Sequence, residues 1–194
     1  MPARVADEWA DWTERRISAM HDLSLYLLEL LENSVRAQAT RIRVELFLDQ
    51  ASDTLRLCVD DNGQGLAAPA EQALDPFFTT KKGKKTGLGL SLLKADAEAA
   101  GGYLRIGTSP VLGGVRVETG MQLSHVDRPP LGDIGTTLVV TALTNPQVEF
   151  SVTLEGDWFP RPLTAAPLAQ AAVHLGDISH KETVWNQAKE AASK

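Results

Sequence analysis

Segments of helical and strand periodicity alternate along the chain and predict an α/β protein. Three observations carry this: a leucine-striped helix from about Asp22 to Ala37, two hairpins of apolar and polar alternation, and a helix between them closed by Gly101-Gly102. In the first helix Leu23, Leu27, Leu30 and Leu31 form one stripe. At about 100° per residue, Glu29 and Asn33 fall within roughly 40° of each other on the other side. Arg41 to Leu48 sets Ile42, Val44, Leu46 and Leu48 against Arg41, Arg43 and Glu45, which is a half-buried strand. Gln50 to Asp53 is a polar turn, and Thr54 to Asp60 alternates again, delivering Asp60 and Asp61 to a strand end. Gly87 to Ala99 reads as the second helix. Tyr103 to Thr108 and Val115 to Leu123 form the second hairpin, turning near Leu112-Gly113-Gly114.

The flanks are read the same way. Upstream, Trp9, Trp12, Ile17 and Met20 recur at helical spacing, so residues 1–20 are expected to hold an amphipathic helix. Downstream, Asp133 to Thr144 is expected to be a helix capped by Asp133 and ended by Asn145-Pro146, although its Thr and Val content also suits a strand. Val148 to Leu154 is a strand candidate. Beyond Pro160 and Pro162, Pro167 to His174 reads as a short helix stopped by Gly176, and Ser179 with Glu182 as a capping box for a helix over Lys181 to Ala192. The expected organisation is an N-terminal helix (1–20), a central domain (21–156) and a separable alanine-rich helical extension (157–194).

Composition narrows the function classes. The 194 residues, 43% hydrophobic and 23% charged, suit a globular protein able to bury a core without covalent staples. A formal net charge of −6 counts against general nucleic-acid binding. Cys58 is the only cysteine, so neither a disulfide framework nor a zinc cluster is expected. No run approaches the roughly 18 to 20 apolar residues that span a bilayer, and no signal-like segment opens the chain. A cytoplasmic protein without membrane attachment is the expectation.

Three clusters of residues carry chemistry. On the first helix, the Asn33 amide oxygen suits Mg2+, which prefers oxygen donors and shares its shell with phosphates. Glu29, one turn earlier, can act as a general base, and Arg36, one turn later, can offset phosphate charge. In Asp61-Asn62-Gly63-Gln64-Gly65, the Asp61 carboxylate can accept a hydrogen bond from the adenine amino group, where guanine would present a repelling carbonyl. Gly63 and Gly65 permit close backbone approach to a base. In the third cluster, Thr80, Lys81 and Lys82 lead into Thr86, Gly87, Leu88 and Gly89, where backbone N–H groups at a helix start and nearby lysines can hold a triphosphate. Taken singly, these are also an exposed helix face, a common turn and a solvated lysine loop. Together and in this order they describe a pocket for ATP with Mg2+. Neither a P-loop nor a Rossmann fingerprint is present.

These residues resemble the superfamily of DNA gyrase, the ninety-kilodalton chaperone, histidine kinases and MutL, the GHKL ATPases. Glu29 to Arg36 is similar to its asparagine box, Asp61 to Gly65 to the first glycine box, Asp75 to Thr80 to the phenylalanine box, and Thr86 to Leu90 to the second glycine box. The resemblance spans about residues 20 to 120. It implies the Bergerat fold, a two-layer α/β sandwich whose mixed, mostly antiparallel sheet is covered by helices on one face. It also assigns Asn33 to Mg2+, Asp61 to adenine, and Gly87 and Gly89 to phosphates. A sensor kinase would need a dimerising hairpin with a phosphoacceptor histidine, for which about twenty residues before the asparagine box leave no room. The gyrase, chaperone and MutL branches continue into a transducer domain for which the chain ends too soon. A stand-alone module remains, similar to histidine-kinase-like ATPases and anti-sigma-factor serine kinases, and compatible with a homodimer. His125 to Asp133 resembles an extension in small bacterial ATP-binding proteins of this type. The expected function is a Mg2+-dependent ATPase or kinase acting on, or regulated by, a protein partner or phosphoacceptor. The alternative is a non-catalytic, nucleotide-gated interaction module.

Overall fold

The computed structural model describes residues 22–66, 69, 72, 74, 88–176 and 178–192. The helix expected over residues 1–20 lies outside them. In chain order the elements are α1 (Leu23–Arg36), β1 (Arg41–Asp49), β2 (Thr54–Asp61), α2 (Leu88–Ala99), β3 (Tyr103–Thr108), β4 (Val115–Gln122), α3 (Ile134–Thr144), β5 (Glu149–Glu155), β6 (Leu163–Pro167), α4 (Leu168–Leu175) and α5 (Ile178–Ala192). The strands form one six-stranded sheet in the order β3-β4-β2-β1-β5-β6. Every pairing is antiparallel except β1 with β5, which run parallel with Val44 opposite Val152.

Alternation along the strands decides the layers. Ile42, Val44, Leu46 and Leu48 of β1, Leu55, Leu57 and Val59 of β2, and Val152 and Leu154 of β5 are buried on one face. They share a core with Leu27, Leu30 and Leu31 of α1, Leu93 and Ala97 of α2, Leu138 of α3 and Ala171 of α4. The residues between them, among them Arg43, Glu45, Arg56 and Arg116, face the other way and are half-buried. The expected two-layer sandwich with a mixed, mostly antiparallel sheet is therefore the observed architecture.

Local signals set several element ends. The Asp22 carboxylate accepts from the Leu25 N–H at 3.0 Å and starts α1, and Asp133 does the same for α3 through Thr136 at 2.9 Å. The latter contact holds the Asp133 carboxyl below the usual range. Ile134–Thr144 is thus helical, as the capping aspartate implies, despite its β-branched content.

The C-terminal third departs from its sequence reading. Strand β6 was not expected, yet it pairs with β5. Helix α5 begins at Ile178, so Ser179 lies within it. Glu182, expected to complete a capping box, is instead buried and spends its carboxylate on distant groups. One oxygen accepts from the Arg128 guanidinium at 2.6 Å, and the other accepts from the Leu131 N–H at 2.8 Å. Arg128 also donates to the carbonyls of Leu123 at 2.8 Å and Pro129 at 2.7 Å. Trp158 and Trp185 meet edge to face at 5.7 Å, tying α5 to the segment after β5. Strand β6 thus joins the sheet, and Ala171 and Leu175 of α4 and Ile178 of α5 join its core.

The Arg128 and Glu182 side chains are only 4% and 8% exposed, so removing one partner strands a buried charge. Glu182→Ala is expected to lower the unfolding free energy by about 3 to 5 kcal/mol. Glu182→Gln, which keeps an acceptor, should cost less; urea denaturation measures both.

Candidate functional site

Helix α1 sets the scale of the site. Its leucine stripe fixes its rotation on the sheet, which leaves Glu29 and Asn33 half-buried on the same side. The Arg36 guanidinium folds back over this face, donating to Asn33 Oδ1 at 2.6 Å and to the Glu32 carbonyl at 3.1 Å. Asn33 therefore shares its amide oxygen with a cation already, and keeps one further lone pair for a ligand.

The first glycine loop is tied to α1 from below. Asp61 ends β2 and is 4% exposed. Its Oδ2 accepts from the Ser34 hydroxyl at 2.7 Å, while Oδ1 accepts from the N–H groups of Gly63 at 2.9 Å and Val115 at 3.0 Å. Asn62 braces the start of β1: its side-chain oxygen accepts from Thr40 and Arg41 N–H, each at 2.8 Å. The Gln64 N–H donates to the Ala37 carbonyl at 3.0 Å. The loop runs so close to the end of α1 that a Cβ on Gly63 would stand 2.8 Å from that same oxygen. Gly65 follows with φ +83°, a conformation that glycine adopts freely.

Asp60 faces the opposite side of the sheet and steadies the same region. It is fully buried, accepting from the Ser109 hydroxyl at 2.6 Å and pairing with Arg116 at 3.0 Å. Ser109 in turn accepts from the Leu112 N–H at 3.0 Å, shaping the turn whose Gly114 N–H donates to the Asp61 carbonyl at 3.0 Å. Two consecutive aspartates thus grip the β3–β4 hairpin from both faces. Burial, reinforced by the Asp60 charge, pushes the neighbouring Cys58 thiol up to about 12, so it stays protonated and serves as packing.

The second glycine box meets α1 at Glu29. A Cβ on Gly89 would lie 1.5 Å from Glu29 Oε2, so the glutamate occupies the space that any other residue at 89 would fill. One turn earlier, the Tyr26 hydroxyl donates to Asp96 of α2 at 2.5 Å and locks the two helices together. Burial, this hydrogen bond and the charges of Asp96 and Glu29 raise the Tyr26 phenol far above its ordinary value.

The structure thus gathers Glu29, Asn33, Arg36, Asp61, Gly63, Gly65 and Gly89 around one helix. Leu88 is placed at the start of α2. Thr80, Lys81, Lys82, Thr86 and Gly87 lie outside the described residues. Two participants lacked a sequence signal. Ser34 reads as an ordinary helix residue until its contact with Asp61 is seen, and Val115 acts through its backbone. A separate cavity of about 190 Å³ lies against the other sheet face, lined by Arg105, Ile106, Gly107, Thr108, Arg116 and Glu118. Its charged groups are largely committed: Arg116 pairs with Asp60, Glu118 accepts from Tyr103 at 2.7 Å, and Arg105 stacks on the Tyr103 ring.

Comparison with known proteins shows the family. A family described as histidine kinase-, DNA gyrase B- and HSP90-like ATPases matches residues 20–142. The chain belongs to this ATPase family. Curated relatives of this histidine kinase-like ATPase include the signal transduction histidine-protein kinase AtoS of Escherichia coli, 36% identical over 93 residues, which are 47% of this chain and 15% of that protein. The sensor protein kinase CarS of Pseudomonas aeruginosa is 35% identical over 109 residues, 55% of this chain and 24% of that protein. The matched region is therefore less than a quarter of each relative's length. Among solved structures, the Aquifex aeolicus MutL ATPase domain complexed with ADP aligns over 79% of this chain and 68% of its own, at 20% identity and a TM-score of 0.35.

The Gly89 contact makes the position of Glu29 testable by substitution. Because the opposing atom is the free end of a flexible side chain, Gly89→Ala should leave the melting temperature nearly unchanged while displacing the Glu29 carboxylate. If Glu29 is a general base, turnover should fall about 10²-fold or more. Within a Glu29→Ala background the same substitution should add little, and a double-mutant cycle of ATP turnover measures the coupling.

Proposed function

We propose that the chain, as a member of this ATPase family, is a kinase-like module that binds ATP with Mg2+ and transfers or slowly hydrolyses the γ-phosphate, acting on or regulated by a protein partner. The observation that supports this most is the convergence on α1: one helix presents Glu29 to Gly89 of the second glycine box and, through Ser34, holds Asp61 of the first. In this reading Asp61 accepts from the adenine amino group. Gly63 and Gly65 pass close to the base, and the residues around 80–89 take the phosphates.

The donor set fits a Mg2+ ion that arrives with the nucleotide. Among the described residues no group of three or more His, Cys, Asp or Glu could cage a metal. Asn33 would offer the ion a neutral oxygen, and phosphate and water would supply its other ligands. Mg2+ supplies charge neutralisation across the phosphates when bound. Glu29 would take the proton of the attacking water or hydroxyl, and Arg36 would turn from Asn33 towards phosphate charge. No helix among the described residues is long and apolar enough to cross a membrane. The histidine-kinase relatives support a phosphoacceptor or partner protein as the other reactant.

Two variants separate binding from chemistry. Asp61→Asn should weaken ATP about 10- to 100-fold in calorimetry, the range for a hydrogen bond to a charged group. Glu29→Ala should retain ATP affinity while losing about 10² to 10⁴ in turnover or transfer. Tight nucleotide binding with no turnover in the wild type would sink the catalytic reading. ATP-dependent partner binding that survives Glu29→Ala would then identify a nucleotide-gated interaction module.

A further inference from the structure

We propose that Ser34 is the positioning residue that sets base selectivity, orienting the Asp61 carboxylate and withholding a hydrogen-bond donor from bases with a carbonyl at the 6-position. This rests on the reading of Asp61 as the adenine contact. An ionised carboxylate offers about four lone-pair sites. At Asp61 three are taken, by the N–H groups of Gly63 and Val115 on Oδ1 and by the Ser34 hydroxyl on Oδ2. One acceptor site therefore remains, on the oxygen that Ser34 holds. The donors on Oδ1 come from a loop and a strand, so they fix where the carboxylate sits. Ser34 comes from α1 and fixes the rotation of the carboxylate about its own axis, and hence the direction of that last lone pair.

The same bond removes an alternative. A serine hydroxyl carries one proton, and in a buried pocket this one is committed to a carboxylate 2.7 Å away. A 6-oxo purine needs a donor where adenine needs an acceptor. To supply it, Ser34 would have to turn its proton away and leave Asp61 Oδ2 without its donor, a cost that buried charged groups magnify. Ser34 is itself only 4% exposed, which keeps water from replacing it. Selectivity thus arises from a rejected arrangement as well as from a favoured contact. Asn33 and Ser34 are adjacent, so one turn of α1 carries both the metal-side oxygen and the base-side clamp.

Calorimetric titration of ATP and inosine triphosphate, which differ at the 6-position and share ribose and phosphates, tests the proposal in the full chain. Ser34→Ala should weaken ATP about 5- to 10-fold and leave inosine triphosphate within about 2-fold, so the preference for ATP falls by roughly the same factor. Ser34→Cys, nearly isosteric with a weaker donor, should give an intermediate loss and guards against a folding defect in the alanine variant. In an Asp61→Asn background Ser34→Ala should no longer change the ratio. Equal weakening of both nucleotides by Ser34→Ala would mark the serine as packing and overturn the proposal. An Asp61→Asn variant that keeps the wild-type preference for ATP would instead overturn the reading of Asp61 itself.

Discussion

The Asp61 carboxylate is the constraint on which the site depends. A buried carboxylate must be supplied with donors, and Asp61 draws them from three parts of the chain: α1 through Ser34, its own loop through Gly63, and β4 through Val115. Each bond orients the carboxylate, and each equally orients the element that donates. The helix carrying Glu29 and Asn33 is therefore set relative to the first glycine loop by chemistry as well as by the leucine stripe beneath it. Glu29 in its turn fills the space above Gly89. A single helix register thus governs both contacts, and a slip of α1 by one residue would lose the Ser34–Asp61 bond and the Glu29–Gly89 contact together.

Much of this was legible in the sequence, and the limits have physical causes. Alternation identified β1 to β4 because one face of each is buried, and α1 was plain because its stripe and its polar face are both continuous. Asp133 outweighed the β-branched residues of α3 because a cap stabilises a helix start locally. Strand β6, by contrast, has no alternating pattern in Leu163 to Pro167. It is a strand because β5 offers it a partner. Glu182 shows the opposite error: its spacing from Ser179 fits a capping box, but a buried arginine 54 residues away wins the carboxylate. Ser34 could not be found by spacing, since a hydroxyl on a helix says nothing until its acceptor 27 residues later is placed beside it.

Membership of the ATPase family explains the pocket more fully than it explains the rest of the chain. The family match ends at residue 142, inside α3. Beyond it, β5 and β6 widen the sheet, and α4 and α5 extend the helical layer. The loop before α3, inside the matched region, reaches the start of α1, where the Leu23 N–H donates to the Pro130 carbonyl at 2.8 Å. Through Arg128, Leu131 and Glu182 this loop also holds the last helix. The added segment and α1 therefore share one anchor.

The parallel pairing of β5 with β1 carries a consequence for the solubility of fragments. Strand β1 is central only because β5 lies beside it. In a fragment trimmed to the family boundary, nine residues of β1 would present an open row of N–H and C=O groups next to Val44, Leu46 and Leu48. Such an edge is long and apolar, the kind that recruits a second chain into its ladder. The C-terminal segment thus acts as a guard strand, and shortening the protein to its family-matched region would exchange the short edge of β6 for the long apolar edge of β1.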